Sequence, residues 1–178
     1  LDNANSGNFS EAKNILNQIK DKDKYDDVNV EEDIRIVADL STIDKLLQNE
    51  NATELNTKVT EFKKDYKTST SRFIESGNSL ITDANTYKKY SDGLTEFNQY
   101  LDKDDITNAK TSLDTLKNYK FNSSKLSEKI KSNLADLEKK LDKQEKSIKD
   151  KQTAKAEEKA KSEAKQTTEV KEAKKELT

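Results

Sequence analysis

Apolar residues recur along this chain at helical spacing. Phe9, Ala12, Leu16 and Ile19 form one short face, and Val30, Ile34, Val37, Leu40 and Leu47 a second. Residues three, four and seven apart share one side of an α-helix, so each set predicts an amphipathic helix with one buried stripe. Ile106, Ala109, Leu113 and Leu116 make a further face. Leu126, Ile130, Leu134, Leu137 and Leu141, then Ile148, make another, and residues 118–123 between these two read as a turn.

The middle of the chain has a different period. Val59, Tyr66, Phe73, Leu80, Tyr87, Leu94 and Leu101 fall seven apart without a miss, with Phe62, Tyr90 and Phe97 in companion positions. A seven-residue apolar repeat favours a long helix that coils gently around its neighbours. From Ala52 to Leu101 one helix would be about 75 Å long. The companion positions Ser69, Ser76 and Asp83 are polar, and Gly77 stands among them. The same residues therefore also read as two helices parted near Gly77.

Start signals agree with these faces. Asn8-Phe9-Ser10-Glu11, Asn29-Val30-Glu31-Glu32 and Asn51-Ala52-Thr53-Glu54 share the form Asn-x-x-Glu. The Asn side chain can accept from a free amide of the first turn, and Glu three residues on can reach back. Weaker starts stand at Asp105 and Ser124. Pro is absent, and Gly occurs only at positions 7, 77 and 93. Gly7 makes residues 1–5 the stub of an earlier helix.

The apolar residues thin out beyond Leu141, and the last aromatic is Phe121. The chain divides into a core-forming body, residues 1–141, and a tail, residues 142–178, that is helical or a flexible tether. The tail holds 11 Lys and 9 acidic residues. Glu145 with Lys149, and Glu157 with Lys161, are helix-supporting pairs. With a net charge of only +2 the tail is a solvated tether before it is a basic anchor.

Composition narrows the chemistry. Of 178 residues, 38% are charged and 30% hydrophobic, the net charge is −2, and Cys, His, Trp, Met and Pro are all missing. No Cys means no disulfide, thiolate nucleophile or Cys-held zinc. No His removes the usual base near neutral pH and the commonest metal ligand. Arg35 and Arg72 are the only arginines, the residue best suited to phosphates and bases, so nucleic acid is not an expected partner. No apolar run approaches the roughly 18–20 residues of a membrane span. With no signal peptide and no initiator Met, the chain reads as a segment of something longer, any membrane anchor lying outside it.

Candidate sites are few. Residues 21–32, Asp21 to Glu32, place carboxylates at positions 1, 3, 7 and 12 of a calcium loop, but Asp26 stands where Gly should and Tyr25 where an oxygen ligand should. The run reads better as an acidic loop feeding the next helix. Paired carboxylates abound, but nothing makes two of them converge in a cleft, as glycoside hydrolysis requires. The chain is expected not to be an enzyme, with no catalytic, cofactor or metal residues and no cofactor. Tyr66, Tyr87 and Tyr90 lie on or beside the heptad seam and are read as packing; Tyr25 and Tyr100 are the tyrosines expected to be exposed. Asn8, Asn51 and Asn122 head glycosylation-type triplets that chance accounts for.

One short pattern recurs. Phe9-Ser10-Glu11-Ala12-Lys13-Asn14-Ile15-Leu16 aligns with Ile106-Thr107-Asn108-Ala109-Lys110-Thr111-Ser112-Leu113, and a third copy lies over Ala52 to Phe62. The offsets of 97 and 43 differ from the 34 of tetratricopeptide repeats. The copies read as one amphipathic-helix design used again.

The opening LDNANSGNFSEAKNILNQIKDKDKYDDVNVEE, the His- and Cys-free helical body and the closing SIKDKQTAKAEEKAKSEAKQTTEVKEAKKELT resemble the extracellular membrane-proximal domain of the mid-cell-anchored protein Z family of streptococci and their relatives. The resemblance implies a helical pedestal outside a Gram-positive membrane, in a single-pass protein that positions the division site. It implies a neighbouring, more distal domain that meets peptidoglycan. It carries no site residue over to this chain.

The expectation is thus an all-α, elongated, antiparallel bundle of about five helices, one or two of them long. Its expected role is a non-catalytic extracellular spacer. The alternative is a helical-hairpin adaptor, tetratricopeptide-like, that binds a protein partner.

Overall fold

A computed structural model describes residues 1–19 and 29–176, with side chains as far as Gln166. The acidic run with calcium-loop spacing, read as a loop feeding the next helix, falls outside the described residues up to Val28, as does Tyr25. Seven α-helices and no strand are present among the described residues: α1 (Asp2–Asn5), α2 (Phe9–Asn17), α3 (Val30–Gln48), α4 (Ala52–Asp65), α5 (Arg72–Asp102), α6 (Ile106–Lys117) and α7 (Ser124–Glu176). The fold is an all-α bundle in which α5, of 31 residues, and α7, of 53, are the long members.

The helices alternate in direction, each packing on its predecessor or on the one before that. α3 runs parallel to α5, since Asp33 meets Ser71, Leu40 meets Gly77, and the α3–α4 turn meets Tyr87. α2 lies antiparallel on α3, tied by Ser10 Oγ and Ser41 Oγ at 2.9 Å. α6 folds back along α5, where Ser112 Oγ donates to the Gly93 carbonyl at 3.2 Å. α7 then runs up α6, with Lys117 on Glu138 at 2.7 Å and Lys110 on Glu145 at 2.8 Å.

Three of the connections are built alike. Gly7, Glu50 and Asp104 each take a left-handed conformation, with φ of 76°, 58° and 56°. The next residue in each case, Asn8, Asn51 or Asp105, sends its N–H back to the carbonyl five residues upstream, that of Asn3, Leu46 or Tyr100. This is the six-to-one closure of a Schellman turn, which satisfies the last carbonyls of the outgoing helix. The same residue then occupies the N-cap position of the incoming helix. The three short sequence copies, which begin at Phe9, Ala52 and Ile106, are the starts of α2, α4 and α6. Burial repeats with them: Ala4, Leu47 and Leu101 just before the turns, and Ala12, Leu55 and Ala109 just after, are all buried.

The capping expectations hold in part. Asn29 accepts from the Glu32 amide at 3.0 Å and Asn51 from the Glu54 amide at 3.2 Å. Asn8 occupies the same position with no side-chain cap bond. Asp105 caps α6 through the Asn108 amide at 3.1 Å. The weak start at Ser124 is served by its neighbour: Ser123 Oγ accepts from Leu126 N at 3.2 Å.

The open question at 52–101 resolves as two helices, and the break lies at 66–71 rather than at Gly77. Residues 67–71 read Lys-Thr-Ser-Thr-Ser, a run of side chains that compete for backbone hydrogen bonds and favour turns over helix interiors. Ser71 caps α5 through the Phe73 amide at 3.2 Å, and Tyr66 is held by its hydroxyl donating to Asp39 at 2.7 Å. Gly77 sits inside α5 instead. A Cβ there would stand 2.5 Å from Cδ2 of the fully buried Leu40, so this glycine lets α3 and α5 approach. Gly93 performs a milder version against Leu116 of α6, at 3.0 Å.

The core runs along α5. Ile36, Val37, Leu40 and Ile43 of α3, Leu55 of α4, Tyr90 and Phe97 of α5, and Leu116 of α6 are its most enclosed apolar side chains. α3 is buried more widely than its stripe predicts: Ile36 and Ile43 are fully enclosed, whereas Ile34 lies only half-buried. The helix is packed by α2, α4 and α5 together, and three neighbours need more than one face. Tyr87 and Tyr90 are buried, with Tyr119 and Phe121 edge-on to Tyr90 at 6.5 Å each. Tyr100, expected to be exposed, is half-buried against the core.

The boundary expected at 141/142 falls inside one unbroken helix. Leu141 is the last buried residue among those with described side chains; from Asp142 to Gln166 every side chain is exposed except the half-buried Gln144 and Ile148. Glu145, expected to support the helix through Lys149, reaches across to Lys110, and Lys159 pairs with Glu163 at 3.9 Å.

Candidate functional site

A polar cleft of ≈750 Å³ lies between the α1–α2 turn, the end of α3, the first half of α5 and the start of α7. Its volume lies within the range of small-molecule sites. Phe9, Leu47, Leu80 and Leu126 give it an apolar floor, and Ser, Asn and Gln residues line its walls.

The wall groups are largely engaged with one another. Asn5 Oδ1 accepts from Ser76 Oγ. Gln48 Nε2 donates to Asp44 at 2.7 Å. Lys129 Nζ bridges the outer end, 2.6 Å from Glu50 Oε1 and 3.1 Å from the Gln48 carbonyl. Asp83 is 2% exposed, and its carboxylate gathers three donors. Oδ1 accepts from Asn122 N at 2.7 Å and Asn122 Nδ2 at 3.0 Å, and Oδ2 from Ser123 N at 2.9 Å. Three charge-assisted bonds offset the cost of burying the carboxylate. In the seven-residue pattern Asp83 is only a weak point in the seam; in the fold it clasps the chain just ahead of α7.

α7 is held at its far end as well. Gln144 Nε2 donates to Asp104 Oδ1, and Lys140 Nζ to Asn98 Oδ1 at 2.7 Å. Two of the left-handed turn residues, Glu50 and Asp104, thus carry carboxylates that meet α7. No local spacing marks these pairings, because each joins residues 40 or more apart.

Three tyrosines are shifted upward in pKa. Burial is the main cause at Tyr66, followed by the hydrogen bond to Asp39. Burial again leads at Tyr87 and Tyr90, with the Glu50 carboxylate adding to both. The neutral phenol is favoured at each. Lys117 is raised through its bond to Glu138.

Among the described residues no group of three or more acidic side chains is placed to hold a metal ion. No described helix is long and apolar enough to cross a membrane. A second hollow of ≈350 Å³ lies at the very start of α5, among Leu1, Leu16, Val30 and Phe73. Comparison with protein-family models, with curated proteins and with solved structures finds no match to this chain.

Proposed function

We propose that this chain is a non-catalytic helical spacer: the pedestal of a membrane-anchored protein on the outer face of a Gram-positive cell, acting in division-site positioning. In this reading a neighbouring domain meets the cell-wall polymer and the membrane anchor lies outside these residues. The resemblance in sequence texture supports the setting. One observation carries the mechanical part: the first and last described residues lie at opposite ends of the molecule. Leu1 lies beside Phe73 at the start of α5, whereas α7 runs parallel to α5 and leaves beyond the α5–α6 turn. α5 spans about 46 Å, and the part of α7 beyond Ile148 adds about 42 Å, at ~1.5 Å per residue. Parallel placement makes these lengths add.

The absence of native Cys permits two single labels. With Ser6→Cys and Ser162→Cys, pulsed electron–electron resonance should give a distance of about 65 Å with one narrow peak. A broad distribution centred well below that value would remove the spacer reading. In a Gram-positive host, replacing the segment by an unrelated helical rod of equal length should preserve division-site positioning. Loss of positioning with a rod of the right length would favour the helical-hairpin adaptor, in which this segment itself recognises a protein.

A further inference from the structure

We propose that α7 is a releasable strut, clamped to the body by the carboxylates Glu50, Asp83 and Asp104 and able to undock as a unit while α2–α6 stay folded. The inference concerns how α7 is held and stands whether or not the chain serves as a spacer.

Three observations lead to it. The first is the nature of the contact. Between Ser124 and Gln166 only Leu126, Ile130 and Leu141 are fully buried, and the ≈750 Å³ cleft separates the first turns of α7 from α3. Leu134 and Leu137 add partly buried apolar contacts, and the other ties are polar: Lys129–Glu50, Lys117–Glu138, Lys110–Glu145, Lys140–Asn98 and Gln144–Asp104. Regions with few buried apolar contacts open at lower free energy than the core, in contiguous cooperative units. The ion pairs among these ties have side chains 36–51% exposed, so salt screens them.

The second is the choice of residue in the turns. All three alike-built turns need a left-handed residue, where Gly is the least strained. The α1–α2 turn, which faces α7 across the cleft, has Gly7. The two turns that α7 passes have Glu50 and Asp104, and these are the carboxylates that hold Lys129 and Gln144. Backbone strain is accepted at the two positions where a side chain is needed to hold α7.

The third is the pivot. Residues 118–123 are held to α5 at their end by Asp83, through Asn122 and Ser123. With the far ties released and this clasp intact, α7 swings about a fixed point; with the clasp released it leaves altogether.

Hydrogen exchange of the full chain, read by mass spectrometry on peptides covering 126–145, 36–47 and 84–101, tests this. In the unaltered protein the 126–145 amides should be at least tenfold less protected than the other two sets. Raising NaCl from 50 mM to 1 M should lower their protection a further few-fold and leave 36–47 unchanged. Glu50→Gly should divide the two readouts: 126–145 exchanges faster, while 36–47 exchanges no faster or more slowly, because the turn loses strain. Lys129→Gln removes the same pair without touching the turn and should speed 126–145 alone. Equal protection of all three segments, or loss of protection everywhere together in both variants, would overturn the proposal.

Discussion

Asp83 stands where the seven-residue pattern would place an apolar companion, and it is among the most enclosed polar residues described. Asp83→Ala leaves the amides of Asn122 and Ser123 without their acceptor and should cost about 1–3 kcal/mol in urea unfolding. Asp83→Asn keeps one acceptor oxygen and should cost less. Equal stability of both variants and the parent would mean that the clasp contributes nothing. The two helical glycines offer a second comparison. Gly77→Ala gains about 1 kcal/mol of helix propensity but drives a methyl into Leu40, whose overpacking costs about 1–3 kcal/mol, for a net loss. Gly93→Ala meets one atom of Leu116 at 3.0 Å and should be neutral or slightly stabilising. A Gly93→Ala variant less stable than Gly77→Ala would reverse the packing assigned to the two sites.

At the scale of the element, the helix starts were legible because a cap is a local device. Asn-x-x-Glu needs only a few consecutive residues, and Asn29 and Asn51 both make the bond. Asn51→Ala should cost about 1 kcal/mol, and Asn8→Ala clearly less, since Asn8 makes no side-chain cap bond. Thermal melts of the two variants decide this; a larger loss at Asn8 would contradict the observed caps. The turn at 66–71 was misplaced because the heptad runs through it: Tyr66 and Phe73 stay in step while the chain between them leaves the helix. α4 and α5 pack on a shared core and need the same apolar period, so periodicity alone does not separate them. The hydroxyl-rich run at 68–71 was the better signal.

For the whole molecule, the raised tyrosines set a pH limit. An unfolded tyrosine ionises near pH 10, whereas Tyr66, Tyr87 and Tyr90 hold their protons to higher pH in the fold. Above pH 10 the unfolded state therefore binds fewer protons than the native state, and stability falls as pH rises; below pH 10 this contribution is fully present. Urea unfolding from pH 8 to 11 should show the loss beginning near pH 10, and Tyr87→Phe should make it shallower. An unchanged profile in Tyr87→Phe would remove Tyr87 from the account.

The all-α class, the amphipathic stripes, the absence of Cys and His chemistry, and the three recurring helix starts were determined by the sequence itself. Each depends on the composition or on residues within a few positions of one another, where helical geometry alone fixes which side chains are neighbours. The tertiary structure decided what those elements do together. It showed that the three short copies begin the helices after three turns of one construction. It showed too that Glu50 and Asp104 trade backbone ease for a hold on α7, and that Asp83 is a clasp. It also placed α7 parallel to α5, so that the part of α7 beyond Ile148 extends the length of α5. These are relations between residues 39 or more positions apart, set by which faces close on a common core, and the local spacing of one helix carries no record of them.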